Sequence, residues 1–411
     1  MVVGQNTNTA RKLEPVPVSG WASLGGFDST RSQNVSYLVG VDHVRCAAAL
    51  LIVYYHGIQL FSSDVRHHRT FLPSDWQTFS DPVSTLLAEG HTAVALFITL
   101  SGFIFAFGAA DREVSYRQFL TNRFLRTYPL LIFVVATGCA VHQRNVSLIP
   151  LLQTLLGGAN LPGAQWLGNF SVMIWSVSLE WQLYLLFPAL MALLNRSGAA
   201  LFAGFIALVL AARGVAFLEG MDPVQGLYTQ LFGRIDQFLL GMLAGWTYAR
   251  HRRRAAFHHL LVPALVLVLA GAFAFNQSGG WPQPGWWKLA TPTLEGVVWA
   301  GAILGHVAWT DRHGYRPGPI SRAFAAVGAT SYSIYLWHFV FIQMQRGQGW
   351  LPRLVEQPEL NAALVVTLTT LPLTLAFAAL SYQVVEKPFL TLRKRYVTRA
   401  ERVEAHAVVA G

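Results

Sequence analysis

Long apolar runs constrain this chain more than any other feature. About ten stretches are nearly free of charge, at approximately 41–61, 91–110, 123–141, 174–194, 199–217, 234–249, 258–275, 289–309, 323–345 and 360–384. Crossing a hydrocarbon core of ~30 Å takes about 20 apolar residues in helical form. Inside lipid every backbone N–H and C=O must find its partner within the segment, so such runs are helices. The expectation is an all-α integral membrane protein, a bundle of about ten transmembrane helices. Charged residues make up only 12% of the 411, with 53% hydrophobic, against roughly 25% charged in soluble domains. An ordinary water-soluble globule is excluded.

Residues 1–40 are polar, carry Gly, Ser, Asn and Pro, and lack an apolar run. They read as a flexible cytoplasmic tail and not as a cleaved signal peptide. The membrane domain then covers 41–390, and 391–411 form a basic cytoplasmic tail. The net charge of +10 would suit a nucleic-acid partner, but its distribution argues for topology. With the N-terminus inside, 22 of the 30 Lys and Arg fall on the cytoplasmic side. That asymmetry is what the positive-inside rule gives for an even number of helices with both termini cytoplasmic. Cys46 and Cys139, the two cysteines, both lie in apolar runs, so no disulfide framework and no cysteine metal site is expected.

Ionisable side chains at membrane depth are costly and by default face a bundle interior or a wet cavity. In the first run, Asp42, Arg45 and His56 share a face. The step from Arg45 to His56 turns the helix by about 1100°, within ~20° of whole turns, and spans about 16 Å. A near-neutral imidazole can take a proton from a hydroxyl, and a guanidinium can hold an anion such as phosphate. Asp42, three residues before Arg45, is placed to hold that guanidinium. Arg123 and Arg126 form a second cationic pair, which plain membrane anchoring would also explain. Ser176, Glu180 and Tyr184 fall on one face at i, i+4 spacing, and His338 lies in the ninth run. Arg234 and Asp236 open the sixth, where a simple buried neutralising pair is the alternative.

Asp42-His43-Val44-Arg45 with His56, Phe97 to Phe103, Trp175 to Tyr184 and Ser331 to His338 together resemble the acyltransferase-3 family of integral membrane acyltransferases. Arg123-Phe124-Leu125-Arg126, the stretch Arg234 to Gly241 and Glu386-Lys387-Pro388 support the likeness. The resemblance implies a ten-helix bundle in a bacterial plasma membrane. It implies cytoplasmic acetyl-CoA or another acyl-CoA as donor, and no permanently bound cofactor. The implied acceptor is a hydroxyl of a surface or secreted glycan, such as an O-antigen, exopolysaccharide or lipooligosaccharide. By the same resemblance His56 is the catalytic base, with Glu180 or His338 orienting it or the acceptor. Arg45, Arg123 and Arg126 bind the CoA phosphates, and Asp42, Arg234, Asp236, Ser176 and Tyr184 are supporting groups. His43 departs from the Gly usual after the Asp, and Trp181 from a common second acidic residue. Some members carry a fused extracellular hydrolase-like domain. None is expected here, so the membrane domain completes transfer itself or passes the group to a separate periplasmic partner. The rival readings are a transporter of a glycan or small solute, a macrolide or other small-molecule acceptor, and a non-catalytic membrane subunit. The sequence does not specify an oligomeric state.

Overall fold

The computed structural model describes residues 32–69, 71–164, 166–252, 256–283, 285–312 and 315–399. The outer parts of both expected tails, 1–31 and 400–411, lie outside the described residues. Of the described residues, 76% are helical. Its main helices are α1 (Val39–His67), α2 (Thr92–Ala109), α3 (Tyr116–Val141), α4 (Ile174–Ser197), α5 (Ala199–Leu218) and α6 (Leu231–His251), followed by α7 (Leu261–Gln277), α8 (Thr291–Thr310), α9 (Pro319–Ala329), α10 (Ser331–Gly347) and α11 (Pro358–Leu390).

Seven of these helices are long and apolar enough to cross a membrane, or eight if the bent pair α9 and α10 is one span. The remaining two expected runs are also helical, as α6 and α8, but fall outside that group. The polar groups of α6 are turned inward, with Arg234, Asp236 and Gln237 completely buried. Exposure separates the layers. The apolar window of α2 is 78% buried within the protein, whereas those of α5 and α7 are only 11% buried. The exposed Leu208, Val215, Val262 and Val266 suit lipid. α5 and α7 are therefore peripheral, and α1, α2 and α10 form the interior.

Close approach at glycine fixes the central packing. Gly241 and Gly245 of α6 lie directly against the backbone carbonyls of Thr99 and Phe103 in α2, and Gly102 of α2 against that of Phe238. A small residue at every fourth position lets two helix backbones meet, which compensates for the absence of a hydrophobic drive between helices in lipid. Gly328 gives α9 the same access to the Asp42 carbonyl of α1. After it the chain bends by 71° into α10, which enters the bundle beside α1.

Two local features depart from an uninterrupted all-helical bundle. Arg112–Val114 pairs antiparallel with Val397–Arg399, tying the loop after α2 to the segment after α11. Asn34 reinforces the junction by accepting from the Tyr396 N–H at 2.6 Å and donating to the Lys394 carbonyl. The described ends of both expected tails are thus packed against the domain. α11 contains π-helical turns at Val366–Thr370 and Tyr382–Glu386. Such turns are rare and often lie at functional sites, and the second carries Glu386 toward α3.

Candidate active site

The geometry begins with two histidines. His56 Nδ1 and His338 Nε2 are 3.0 Å apart, bringing together α1 and α10. His338 Nδ1 lies 2.7 Å from the Tyr335 carbonyl and 3.2 Å from that of Ile334. Carbonyls only accept, so Nδ1 of His338 carries its proton and the Nε2 of the neutral ring is a lone pair. That lone pair accepts from His56 Nδ1–H, leaving Nε2 of a neutral His56 unprotonated. A backbone carbonyl and one imidazole thus fix the tautomer in which the second imidazole is a base, as in other bases held by a third group. His338 is fully buried and His56 half-buried.

A cavity of about 120 Å³ has Arg45 of α1 in its wall. Arg45, Arg123 and Arg126 line it together with Ser101, Ser176, Glu180 and Tyr184, while Phe97, Ile98 and Ile104 supply an apolar wall. Each arginine is held differently. Arg45 donates to Asp42 Oδ1 at 2.7 Å. Arg126 pairs with Glu386 at 2.8 Å, and Ser333 also donates to that carboxylate. Arg123 lies against the Phe105, Phe119 and Tyr184 rings, 4.8 to 6.0 Å from their centroids. It makes no ion pair among the described residues, and its buried Nε lacks a hydrogen-bond partner. Arg393, just beyond α11, belongs to the same cluster. Burial, together with the charges of Arg123, Arg126 and Arg45, lowers its guanidinium to about 10. Arg123, which has no ion pair among the described residues, and this mutual repulsion make an anion a fitting occupant beside the arginines.

The expected face of α4 is present. Glu180 accepts from Ser101 at 3.0 Å and makes no hydrogen bond to His56 among the described residues, while Ser176 donates to the Tyr335 hydroxyl at 2.6 Å. The histidine pair does not line the cavity. Tyr335 does, and its ring centroid lies 5.7 Å from that of His338.

The sequence pairing of Arg234 with Asp236 is corrected. Asp236 accepts from both terminal nitrogens of Arg213 in α5, at 2.9 and 2.8 Å, and from Thr293 of α8. Arg234 instead donates to the Tyr228 carbonyl and to Glu295. Successive side chains on a helix diverge by about 100°, so residues two apart point nearly opposite ways and reach different neighbours. Neither residue lines the cavity. Sequence reasoning quoted Glu386 only as part of a supporting motif and placed Arg393 only in a basic tail, giving neither a site role, and it missed a buried Glu89–His91 pair at 2.8 Å. Among the described residues, no group of three or more His, Cys, Asp or Glu side chains is arranged to hold a metal ion.

The sequence pattern of an acyltransferase domain matches residues 38–382, from the start of α1 into the second π turn. The chain belongs to the acyltransferase-3 family. It is 25% identical over 383 residues to acyltransferase MdmB of Streptomyces mycarofaciens, covering 87% of this chain and 95% of that one. It is 21% identical over 397 residues to the putative O-acetyltransferase SACOL0978 of Staphylococcus aureus (strain COL), covering 88% of this chain and 58% of the longer relative. With the exopolysaccharide production protein ExoZ of Rhizobium meliloti (strain 1021) it shares 28% over 272 residues, 63% of this chain and 79% of the relative. No solved structure matches it. Family membership and the apolar helices make the chain a multi-pass membrane transferase of acyl, not aminoacyl, groups.

Proposed function

We propose that this acyltransferase moves an acyl group, acetyl in the first instance, from cytoplasmic acyl-CoA to a hydroxyl of a surface or secreted glycan. The observation that carries the reading is the fixed tautomer of the His56–His338 pair, which leaves His56 Nε2 free as a base. The arginines in the cavity wall hold the donor's phosphates, and the thioester reaches the histidines past Tyr335. His56 Nε2 takes the hydroxyl proton as the acceptor oxygen attacks the thioester carbonyl. The C–O bond forms, the C–S bond breaks, and the proton passes to the departing CoA thiolate. No step requires a metal or redox cofactor.

In this reading α6 and α8 complete ten spans in a bacterial plasma membrane, with both termini cytoplasmic. A glycan acceptor is favoured by the kinship to a protein named for exopolysaccharide production. The test compares ester content of surface and secreted glycans in cells expressing wild type, His56→Ala at equal membrane level, or neither. Esters that depend on wild type and vanish with His56→Ala support the reading. A wild type that adds no ester to any glycan overturns the glycan acceptor.

A further inference from the structure

The short segment that follows α11 has no helix or strand over 391–396, yet it is fixed by two buried side-chain amides. Asn122 of α3 takes both backbone groups of Lys394, accepting from its N–H at 3.0 Å and donating to its carbonyl at 2.5 Å. Asn34, ahead of α1, donates to the same carbonyl and accepts from the Tyr396 N–H at 2.6 Å. The Tyr396 carbonyl accepts in turn from the Ser115 N–H at 2.8 Å. An amide that occupies the donor and the acceptor of one residue holds its backbone as a neighbouring strand would. Asn122 and Asn34 are only 1% and 5% exposed, so water competes little for these bonds.

The clasp sets the position of Arg393. Lys394 is bonded to the side chain that precedes Arg123 on α3, and Tyr396 packs edge-on against Phe119 with centroids 5.2 Å apart. The Arg123 guanidinium lies 5.4 Å from the centroid of that same Phe119 ring. Arg393 is half-buried and donates its Nε to the Leu390 carbonyl at 3.0 Å. Gathering a further guanidinium at a half-buried place beside Arg45, Arg123 and Arg126 is costly unless an anion sits among them. In the cavity wall, Asp42 and Glu386 offset Arg45 and Arg126, which leaves Arg123 to balance a ligand. An acyl-CoA carries a diphosphate and a phosphate monoester, more negative charge than one guanidinium balances.

We infer that Arg393 binds a phosphate of the acyl donor next to Arg123, and that residues 391–397, clasped by Asn34 and Asn122, form a strap that completes the donor site, a role that rests on acyl-CoA being the donor. Asn34 and Arg393 both lie outside residues 38–382, which match the family pattern. This cation is therefore supplied by the segments that flank the matched domain, not by the domain itself. A strap already bonded in place loses little entropy when the donor arrives.

The test is CoA binding to the purified full-length protein, read by isothermal titration calorimetry. Arg393→Gln is expected to weaken CoA binding ~10-fold or more, the loss of one charge-assisted hydrogen bond. Asn122→Ala keeps every charge but frees Lys394, and is expected to weaken binding about threefold or more through lost ordering of the strap. Arg395→Gln removes the same charge from the same segment at an exposed position, where Nε donates to the Val397 carbonyl. It is expected to bind CoA within about twofold of wild type, as for an exposed charge. Should Asn122→Ala fail to fold, the comparison of the two arginine variants still decides. CoA binding unchanged by Arg393→Gln, or weakened equally by Arg395→Gln, would overturn the assignment while leaving acyl-CoA as donor. A folded Asn122→Ala that binds CoA like wild type would overturn the role of the strap. A wild-type protein that binds no CoA would overturn the donor and the strap's role together.

Discussion

Replacing His338 with Leu isolates the tautomer argument. The substitution removes the acceptor 3.0 Å from His56 Nδ1 without adding charge to a fully buried position. His56 Nδ1–H then loses its partner on α10, and the preference for the tautomer with a free Nε2 falls with it. A buried donor left unsatisfied costs ~1–3 kcal/mol, corresponding to a loss of about 5- to 150-fold in the competent form. The assay is the rate of acyl transfer in membranes at saturating donor, normalised to the amount of folded protein. His56→Ala should lose the whole contribution of a general base, ~10²–10⁴-fold. The double variant should be no slower than His56→Ala, because His338 acts through His56. A His338→Leu enzyme at the wild-type rate, or a double variant showing both losses in full, would mean that His338 does not hold the His56 tautomer.

Three further substitutions or titrations probe the framework. Arg126→Gln strands the buried Glu386 carboxylate and should cost ~3–5 kcal/mol, seen as a lower Tm in detergent; adding Glu386→Gln should restore most of the Tm but not donor binding, whereas an unchanged single variant would contradict the pairing. Gly241→Ala drives a methyl into the Thr99 carbonyl and should destabilise the α2–α6 contact by ~1–3 kcal/mol; an unchanged Tm would count against the close approach. The Arg69 clasp and the Leu72 N–H hold the Asp75 carboxyl down at about 2. Because this pKa is depressed, the clasp's stabilisation is fully present above the usual carboxyl value near 4 and is lost as pH falls through about 2; a carbon-13 NMR midpoint near 4 would show that the clasp does not form.

Much of the site was legible because helical periodicity is regular. The eleven-residue step from Arg45 to His56 and the i, i+4 series Ser176, Glu180 and Tyr184 depend only on helix geometry. Pairing between helices depends on packing, which a single sequence does not print. Asp236 looked toward its sequence neighbour Arg234, yet its partner is Arg213, placed within an otherwise apolar run on α5. Arg393 read as part of a basic tail because nothing in its neighbourhood reveals that the strand pairing at 397–399 holds the segment near Arg123 and Arg126. Those strands were invisible for a related reason: three residues are too few for an alternating pattern to register. His43, a departure from the family pattern, has its own partner in His306 at 3.2 Å, again across helices.

Acyl transfer with His56 as base can be followed in isolated membranes containing the protein. Transfer of radiolabel from acetyl-CoA to the glycan fraction would be followed for wild type and His56→Ala, with donor binding measured in parallel. Wild type is expected to label glycan, and His56→Ala to lose ~10²–10⁴-fold at unchanged donor binding. Equal rates of labelling by the two proteins would contradict it.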